Sequence, residues 1–176
     1  IDRYRYWTME AIVADLDAHR HPFHVAIENW QHDMNIGSIV RSANAFGAAE
    51  VHIIGRRRWN RRGAMVTDRY QHVRHHDDIA AFAAWAADAA VPVVAVDNVP
   101  GSVPVDRADL PERCVLLFGQ EGPGLSAEAV AAAMEELAAK DGSIHYAIPY
   151  VASEYINVAV DAARPGTRGV FPRLVA

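Results

Sequence analysis

The residues best suited to chemistry in this sequence fall in one short run between Asn35 and Gly47. The run combines an Asn-x-Gly start, a lone arginine at Arg41 one turn into a predicted helix, and a glycine stop. The first turn of a helix presents backbone N–H groups and a partial positive charge, so it suits an anionic or hydroxyl-bearing ligand. Gly37 would allow close approach to the backbone, and Asn35 could cap the helix or bind. The alternative is a capped helix whose arginine pairs with a nearby carboxylate.

A second candidate is the glycine-rich stretch from Gly119 to Ser126, which follows an apolar run and precedes a predicted helix. Its three glycines would let the backbone come close to a ligand. Glu121 could fix a cofactor hydroxyl or orient Arg41. No Gly-Lys-Ser/Thr follows, so the stretch is not a phosphate-binding P-loop, and a dinucleotide-binding fingerprint is also missing from the sequence. The alternative is a tight turn between strand and helix with an exposed acid.

A third candidate is the strand, loop and helix predicted between Ile148 and Ala163. Pro149 ends the strand, and Asn157 stands inside an otherwise apolar helix that also contains Ile156. A buried asparagine must find hydrogen-bond partners, which fits either a structural tie or a ligand contact.

Charge is distributed unevenly along the chain. The formal net charge is −5, which argues against a protein that grips nucleic acid over its whole surface. The local exception is a basic cluster with one aromatic residue, made of Arg56, Arg57, Arg58, Trp59, Arg61 and Arg62. Arginine binds phosphates and tryptophan stacks on bases, so the cluster is interpreted as an RNA-binding segment. The alternative is a solvated loop.

Other residue types limit the remaining possibilities. Cys114 is the single cysteine, which excludes an internal disulfide, and it precedes an apolar run typical of a core. The histidines have no supporting cysteine or H-E-x-x-H motif, so no metal site is expected, and His75 and His76 are predicted to lie near the RNA path or on the surface. No apolar run reaches about 18 residues, so we expect no membrane span. The single cysteine favours a reducing compartment, so we expect a cytoplasmic protein.

The elements that must position these residues alternate along the chain. Short apolar runs alternate with helical segments, which predicts an α/β fold with a mostly parallel sheet and helices on both faces. Ligands bind beyond the carboxyl ends of the strands in such sheets. Asp77 or Asp78 and Ser126 are expected N-caps, and Gly47 is expected to end its helix. The predicted strands are 23–27, 51–54, 91–96, 115–118 and 144–148, and the predicted helices are 4–19, 38–46, 77–90, 126–139 and 155–163.

The three motifs, in this order, resemble those of the SpoU (TrmH-like) branch of the SPOUT RNA methyltransferases. The first motif, Asn-x-Gly-x-Ile-x-Arg followed by Ala-Phe-Gly, is matched by Asn35, Gly37, Ile39, Arg41 and residues 45–47. The second and third are matched by Gly119, Glu121, Gly124, Ile148, Pro149 and Asn157. The third motif differs from the family at Ala152 and Tyr155, where glycine and serine are usual.

The resemblance implies an activity and a role for each matched residue. It implies an N-terminal helical extension at 1–22, a methyltransferase domain at 23–176 with a C-terminal trefoil knot, and a homodimer. The cofactor would be S-adenosylmethionine, and the reaction methyl transfer to a ribose 2′-hydroxyl of structured RNA, with tRNA favoured over rRNA. The alternatives are an rRNA 2′-O-methyltransferase and, because of the altered third motif, a SPOUT-like RNA-binding dimer with weakened methyl transfer. The implied catalytic residues are Arg41, Asn35, Glu121 and Asn157, and the implied cofactor contacts are Val96, Gly119, Glu121, Gly124, Ile148, Pro149 and Ile156.

Overall fold

The computed structural model describes residues 2–30, 35–98, 108, 110–120 and 122–138, which form an α/β fold around one sheet. The strands are β1 (His24–Asn29), β2 (Val51–Gly55), β3 (Val73–His76), β4 (Val93–Val96) and β5 (Val115–Phe118). The α-helices are α1 (Met9–Asp17), α2 (Ile36–Ala45), α3 (Ile79–Asp88) and α4 (Ala127–Ala138). Short 3-10 turns lie at Asp2–Tyr4, Arg61–Ala64 and Thr67–Arg69. The strand order is β3-β2-β1-β5-β4, and every neighbouring pair is parallel.

The sheet is covered on both faces, as the sequence predicts. On one face Ile27 and Leu116 pack against Val40 and its neighbours in α2. On the other face Leu117 packs with Phe82 of α3, and α4 covers the same side. Burial of each such side chain stabilises the fold by about 1.5–3 kcal/mol. Because both faces are covered, β4 and β5 are continuous apolar runs instead of alternating ones.

The helices begin and end at residues whose types explain their positions. Asp78 caps α3 by accepting a hydrogen bond from the Ala81 backbone N–H at 2.8 Å, and Ser126 Oγ accepts from the Ala129 N–H at 3.1 Å. These two predicted caps are confirmed. Gly47 follows α2 with a φ of +66°, a left-handed conformation that glycine adopts without strain.

Two segments differ from the prediction. The helix expected over 4–19 is shorter, because Thr8 caps α1 through the Ala11 N–H at 3.3 Å and the residues before it fold back, with the Tyr4 hydroxyl donating to Asp15 at 2.6 Å. The strand β3 was not predicted, because this edge strand carries Val-Arg-His-His and exposes most of it. The surface position predicted as one alternative for His76 was wrong, since His76 is 7% exposed and faces α3.

The end of the chain falls outside the described residues. The strand predicted at 144–148, the helix predicted at 155–163 and the C-terminal knot all lie there, as does the helix's Asn157. Among the residues that the structure does describe, Cys114 is fully buried, and burial raises the pKa of its thiol to about 12. Each helix in that part of the chain is too short or too polar to span a bilayer.

Candidate active site at the carboxyl edge of the sheet

The last two residues of β1 organise the carboxyl edge of the sheet. Glu28 and Asn29 are each 1% exposed. They point to opposite faces, because side chains alternate along a strand. Glu28 shares the face of Ala26, which α3 and α4 cover, and Asn29 shares the face of Ile27, which α2 covers. Each of these two buried side chains fixes one loop.

Glu28 fixes the glycine loop, defined here as residues 119–126. Its two carboxylate oxygens accept hydrogen bonds from the Ser126 backbone N–H at 2.7 Å and from the Trp30 indole N–H at 2.8 Å. Hydrogen bonds to a carboxylate are stronger than neutral ones, and a negative charge is favourable at the start of a helix. The carboxylate therefore holds the point where the loop enters α4.

The glycine loop folds onto itself and onto the end of β4. Two backbone hydrogen bonds of 3.0 Å between Gln120 and Gly124 close it, and Asp97 Oδ2 accepts from the Leu125 N–H at 2.6 Å. A Cβ at Gly119 would collide with the backbone of Gly124. Gly124 itself has a φ of +74° and lies against the Asp97 carboxylate. These two glycines thus allow close packing of the chain on itself.

Asn29 fixes the arginine loop, defined here as residues 56–64. Its Nδ2 donates to the carbonyl oxygens of Arg56 at 2.6 Å and Arg58 at 3.2 Å. Asn60 then starts the 3-10 turn Arg61–Ala64 by accepting from the Arg62 N–H at 3.0 Å. All five arginines of the predicted cluster are exposed, namely Arg56, Arg57, Arg58, Arg61 and Arg62. Their positive charge is therefore displayed from a backbone that is held in place.

Trp59 lies between the arginine loop and the core. Its side chain is half-buried and packs against the core under α2, and the guanidinium carbon of Arg61 lies 5.5 Å from its ring centroid. Arg61 also lies 3.4 Å from a carboxylate oxygen of Asp68. Trp59 therefore anchors the arginine loop, and Arg61 lies over its ring.

The helix α2 packs directly on the arginine loop. A Cβ at Gly37 would lie 2.7 Å from both Asn60 O and Ala64 N, so only glycine fits. The close approach expected for a ligand is therefore made by the loop backbone. Asn35 occupies the N-cap position but makes no capping hydrogen bond through its side chain, and Arg41 is exposed. Within the described part of the chain, no carboxylate lies within ion-pair distance of Arg41.

Trp30 connects the two loops. Its backbone N–H donates to Gln120 Oε1 at 3.2 Å, and its indole binds Glu28, so it contacts the glycine-loop side. Its ring also lies against Gly55, where a Cβ would be 2.7 Å from two ring carbons. Gly55 leads directly into the arginine loop. Trp30 therefore links Gln120 of the glycine loop to Gly55, the residue that precedes the arginine loop.

Comparison with known proteins decides the family. A model of the SpoU rRNA Methylase family matches residues 22–140, which is more than half of the chain. The chain belongs to this family. No curated protein matches the sequence itself.

Solved structures of SpoU-family proteins share the fold. The TrmH/SpoU tRNA-modifying enzyme of A. aeolicus superposes with a TM-score of 0.67 at 18% identity, covering 88% of this chain and 82% of that one. The AdoMet-bound rRNA methyltransferase of Sinorhizobium meliloti gives 0.62 at 24% identity, covering 89% and 61%. AviRb of Streptomyces viridochromogenes, solved in complex with AdoMet, gives 0.61 at 24% identity, covering 82% and 57%. The chain therefore spans about three fifths of the length of several of these relatives.

The described part of this SpoU-family protein contains some of the predicted site residues. Val96 lies beside Phe118 in the β4–β5 register, so Val96, Gly119 and Gly124 lie together at the sheet edge. Asn35 and Arg41 lie on the helix that packs on the arginine loop. The remaining predicted residues lie outside the described part, namely Glu121, Ile148, Pro149, Ile156 and Asn157.

Sequence reasoning missed the residues that hold the loops. Glu28 and Asn29 read as the end of a buried strand, and only their charge and polarity in an apolar run could have indicated a role. Asp97 stands directly after a strand, which is a weak signal of the same kind. Met65 and Val66, between the two later 3-10 turns, gave no signal. Both are exposed and have positive φ values of 49° and 70°, which cost on the order of 1–3 kcal/mol each.

A second polar cluster lies on the α3 side of the sheet. In this histidine ladder, His24 Nδ1 lies 3.1 Å from His52 Nε2, and His52 Nδ1 lies 2.9 Å from His76 Nε2. Burial lowers the pKa of His52 to about 2, and the neighbouring His24, His76 and Arg74 act in the same direction. Burial also lowers the pKa values of His24 and His76. All three rings are therefore neutral near pH 7. The ladder could not be read from the sequence, because its members come from three strands.

Proposed function

We propose that this protein transfers a methyl group from S-adenosylmethionine to a ribose 2′-hydroxyl of structured RNA, with tRNA favoured over rRNA. One observation carries the proposal. Glu28 and Asn29 hold a glycine loop and an exposed arginine loop side by side at the carboxyl edge of a parallel sheet, where such folds bind ligands. The relatives include both tRNA-modifying and rRNA-modifying enzymes, so the substrate must be tested on both RNAs.

The glycine loop fits one side of a cofactor pocket. Val96, Gly119 and Gly124 lie at adjacent strand ends, and a Cβ at Gly122 would have no atom within 4 Å, so that part of the loop faces open space. S-adenosylmethionine would supply the methyl group on a sulfonium centre. Glu28 and Asp97 hold the loop in shape without a positively charged side chain, which suits a cationic sulfonium. Glu121, Ile148, Pro149 and Ile156 would complete the pocket, as the resemblance implies.

Arg41 would act on the RNA side of the reaction. A guanidinium stays protonated, so we assign it to anchoring a phosphate or stabilising the developing alkoxide at the 2′-oxygen, and not to accepting the proton. Its exposure and its place on the helix that packs on the arginine loop support this role. Asn35 and Asn157 would position the ribose and the cofactor. Methyl transfer depends largely on alignment, so such positioning carries much of the rate.

The arginine loop would bind the RNA backbone. Five exposed guanidinium groups on a fixed loop suit phosphate contacts, which position an RNA without reading its sequence. Trp59 would anchor the loop. It would stack on an RNA base only if Arg61 moved away from its ring. The division into an extension at 1–22 and a domain at 23–176, the homodimer and a cytoplasmic location remain parts of the same proposal.

The decisive experiment measures methyl transfer by the purified protein with labelled S-adenosylmethionine, tRNA and rRNA transcripts. A 2′-O-methyl group blocks alkaline cleavage, so a labelled dinucleotide that resists alkali identifies the ribose product. Arg41→Ala is expected to reduce turnover by about 100- to 1,000-fold, the usual cost of one charge-stabilising donor, while cofactor binding persists. Arg5→Ala removes an equally exposed arginine away from the loops and serves as the control. Retained turnover in Arg41→Ala would remove Arg41 from the chemistry.

Calorimetry with S-adenosylmethionine separates the proposed enzyme from the alternative binding module. Clear binding by the unmodified protein supports the enzyme. RNA binding without cofactor binding would instead indicate that the altered third motif, with Tyr155 and Ala152, has lost efficient transfer.

A further inference from the structure

Three metal-binding side chains converge at the amino end of the sheet, away from the two loops. One ligand atom from each of His24, Glu50 and His52 lies within 4.8 Å of the others. His24 Nδ1 and His52 Nε2 are 3.1 Å apart, and His52 Nε2 and Glu50 Oε2 are 3.6 Å apart. Ligands at about 2.0–2.1 Å from a tetrahedral zinc ion lie about 3.3–3.4 Å from each other. The three atoms are therefore spaced closely enough to share one ion with small side-chain adjustments.

The surroundings hold His52 in an orientation suited to a ligand. Its Nδ1 faces His76 Nε2 at 2.9 Å, so a proton on Nδ1 donated to His76 leaves the lone pair of Nε2 directed toward His24 and Glu50. Metal-bound histidines generally donate their second N–H to a hydrogen-bond acceptor, a role that His76 Nε2 would fill here. The ring of Trp85 lies 3.9 Å from that of His52, centroid to centroid, and limits its rotation.

The donor set indicates the class of ion. Two neutral imidazoles and one carboxylate suit zinc and other first-row divalent transition metals, while calcium and magnesium require more oxygen ligands. A tetrahedral ion would take its fourth ligand from water, because Glu50 is partly exposed while His52 is fully buried.

Arg74 opposes the binding of a cation and so sets its strength. Its guanidinium lies 3.1 Å from Glu50 Oε1 and 5.6 Å from the Trp85 ring centroid. Glu50 therefore offers only Oε2, and the positive charge of Arg74 lies close to the ion. Removing the Arg74 charge should strengthen binding, because it frees Glu50 Oε1 and ends the repulsion between the guanidinium and the ion.

The cluster is distinct from the proposed active site. His24 begins β1, whereas Glu28 and Asn29 end it, roughly 13–17 Å away at about 3.3 Å per residue. Neither loop contributes a residue to it.

We propose that His24, Glu50 and His52 form a binding site for one divalent ion of the zinc class, which links the start of β1 to the start of β2. The site does not depend on the proposed methyl transfer. Its effect would be structural: an ion that binds only the folded chain raises the melting temperature by roughly 5–10 °C when free metal is 100 times the Kd.

The test uses the full chain, stripped of metal with a chelator and titrated with Co²⁺ and with Zn²⁺. We expect one ion per chain, a visible ligand-field absorption of tetrahedral Co²⁺, and a rise in melting temperature with Zn²⁺. His24→Gln, His52→Gln and Glu50→Gln should each weaken binding at least tenfold, and Arg74→Gln should strengthen it. Glu50→Gln is the mildest change, because its side chain is partly exposed, and it keeps the test valid if His52→Gln does not fold.

His72→Gln is the matched control, because His72 is exposed and pairs with Asp17 instead. Equal binding by Glu50→Gln, His24→Gln and the unmodified protein would mean that only adventitious surface histidines bind, and the proposal would fail. It would fail equally if neither ion bound to the unmodified protein.

Discussion

The glycine loop and the arginine loop are held by neighbouring residues of one strand, but with opposite polarity. Glu28 and Asp97 accept hydrogen bonds from backbone N–H groups of the glycine loop. Asn29 donates to backbone carbonyl oxygens of the arginine loop, and the arginine side chains of that loop are exposed. Negative charge therefore collects under one loop and positive charge on the surface of the other. This separation matches a cationic methyl donor on one side and a polyanion on the other.

The largest effect is expected from a substitution that disrupts the glycine loop alone. In Gly119→Ala the new Cβ would collide with the Gly124 backbone, and overpacking of this kind costs about 1–3 kcal/mol or more. We expect loss of S-adenosylmethionine binding in calorimetry, with RNA affinity largely kept. Gly47→Ala is the control outside the glycine loop, since its Cβ would have no atom nearer than 3.5 Å and only its φ of +66° is strained. Equal losses in both variants would show that general destabilisation, and not close packing in the glycine loop, abolishes cofactor binding.

The next largest effect is expected from removing charge from the arginine loop. Changing Arg57, Arg58 and Arg61 to glutamine removes three exposed charges, which should flatten the dependence of log affinity on log salt by roughly 2 units. RNA affinity near physiological salt should fall roughly 10- to 100-fold, while S-adenosylmethionine binding stays the same. The control makes the same change in net charge by replacing Arg3, Arg5 and Arg113, which are exposed outside the loop, with glutamine. An unchanged salt slope would make the arginine loop an ordinary solvated surface.

A smaller effect tests how α2 supports the arginine loop. Alanine favours a helix over glycine by about 1 kcal/mol, but the Cβ of Gly37→Ala would lie 2.7 Å from two backbone atoms of residues 60 and 64. Overpacking of about 1–3 kcal/mol should outweigh the gain, so the variant is expected to be less stable by about 1 kcal/mol and to bind RNA several-fold more weakly. Denaturant unfolding measures the first and RNA titration the second. Ser38→Ala, at the next position, controls for substitution in the same turn. A more stable Gly37→Ala would mean that the loop shifts without strain.

The sequence predicted the parallel sheet, its two covered faces and the family, because apolar runs and glycine-containing motifs are local signals. It assigned the glycines to ligand approach, yet Gly37 contacts Asn60 and Ala64, and Gly119 contacts Gly124. A sequence shows that a close approach is needed but not which atoms approach. The edge strand β3 and the histidine ladder were missed for a related reason, since a polar pattern on one strand acquires meaning only beside its neighbours.

The finest test asks whether the two loops respond independently. Glu28→Gln replaces one acceptor with a donor and should cost about 1.5–3 kcal/mol of stability, chiefly weakening S-adenosylmethionine binding. Asn29→Leu keeps the branched shape of the side chain, removes two donated hydrogen bonds, and should chiefly weaken RNA binding. Trp30 contacts Gln120 of the glycine loop and Gly55, which precedes the arginine loop, so the double variant should depart from additivity by about 0.5–1 kcal/mol in denaturant unfolding. Slow reaction of the buried Cys114 thiol with a disulfide reagent verifies that each variant is folded. Strict additivity would mean that β1 alone holds the loops, and that Trp30 transmits nothing between the cofactor side and the RNA side.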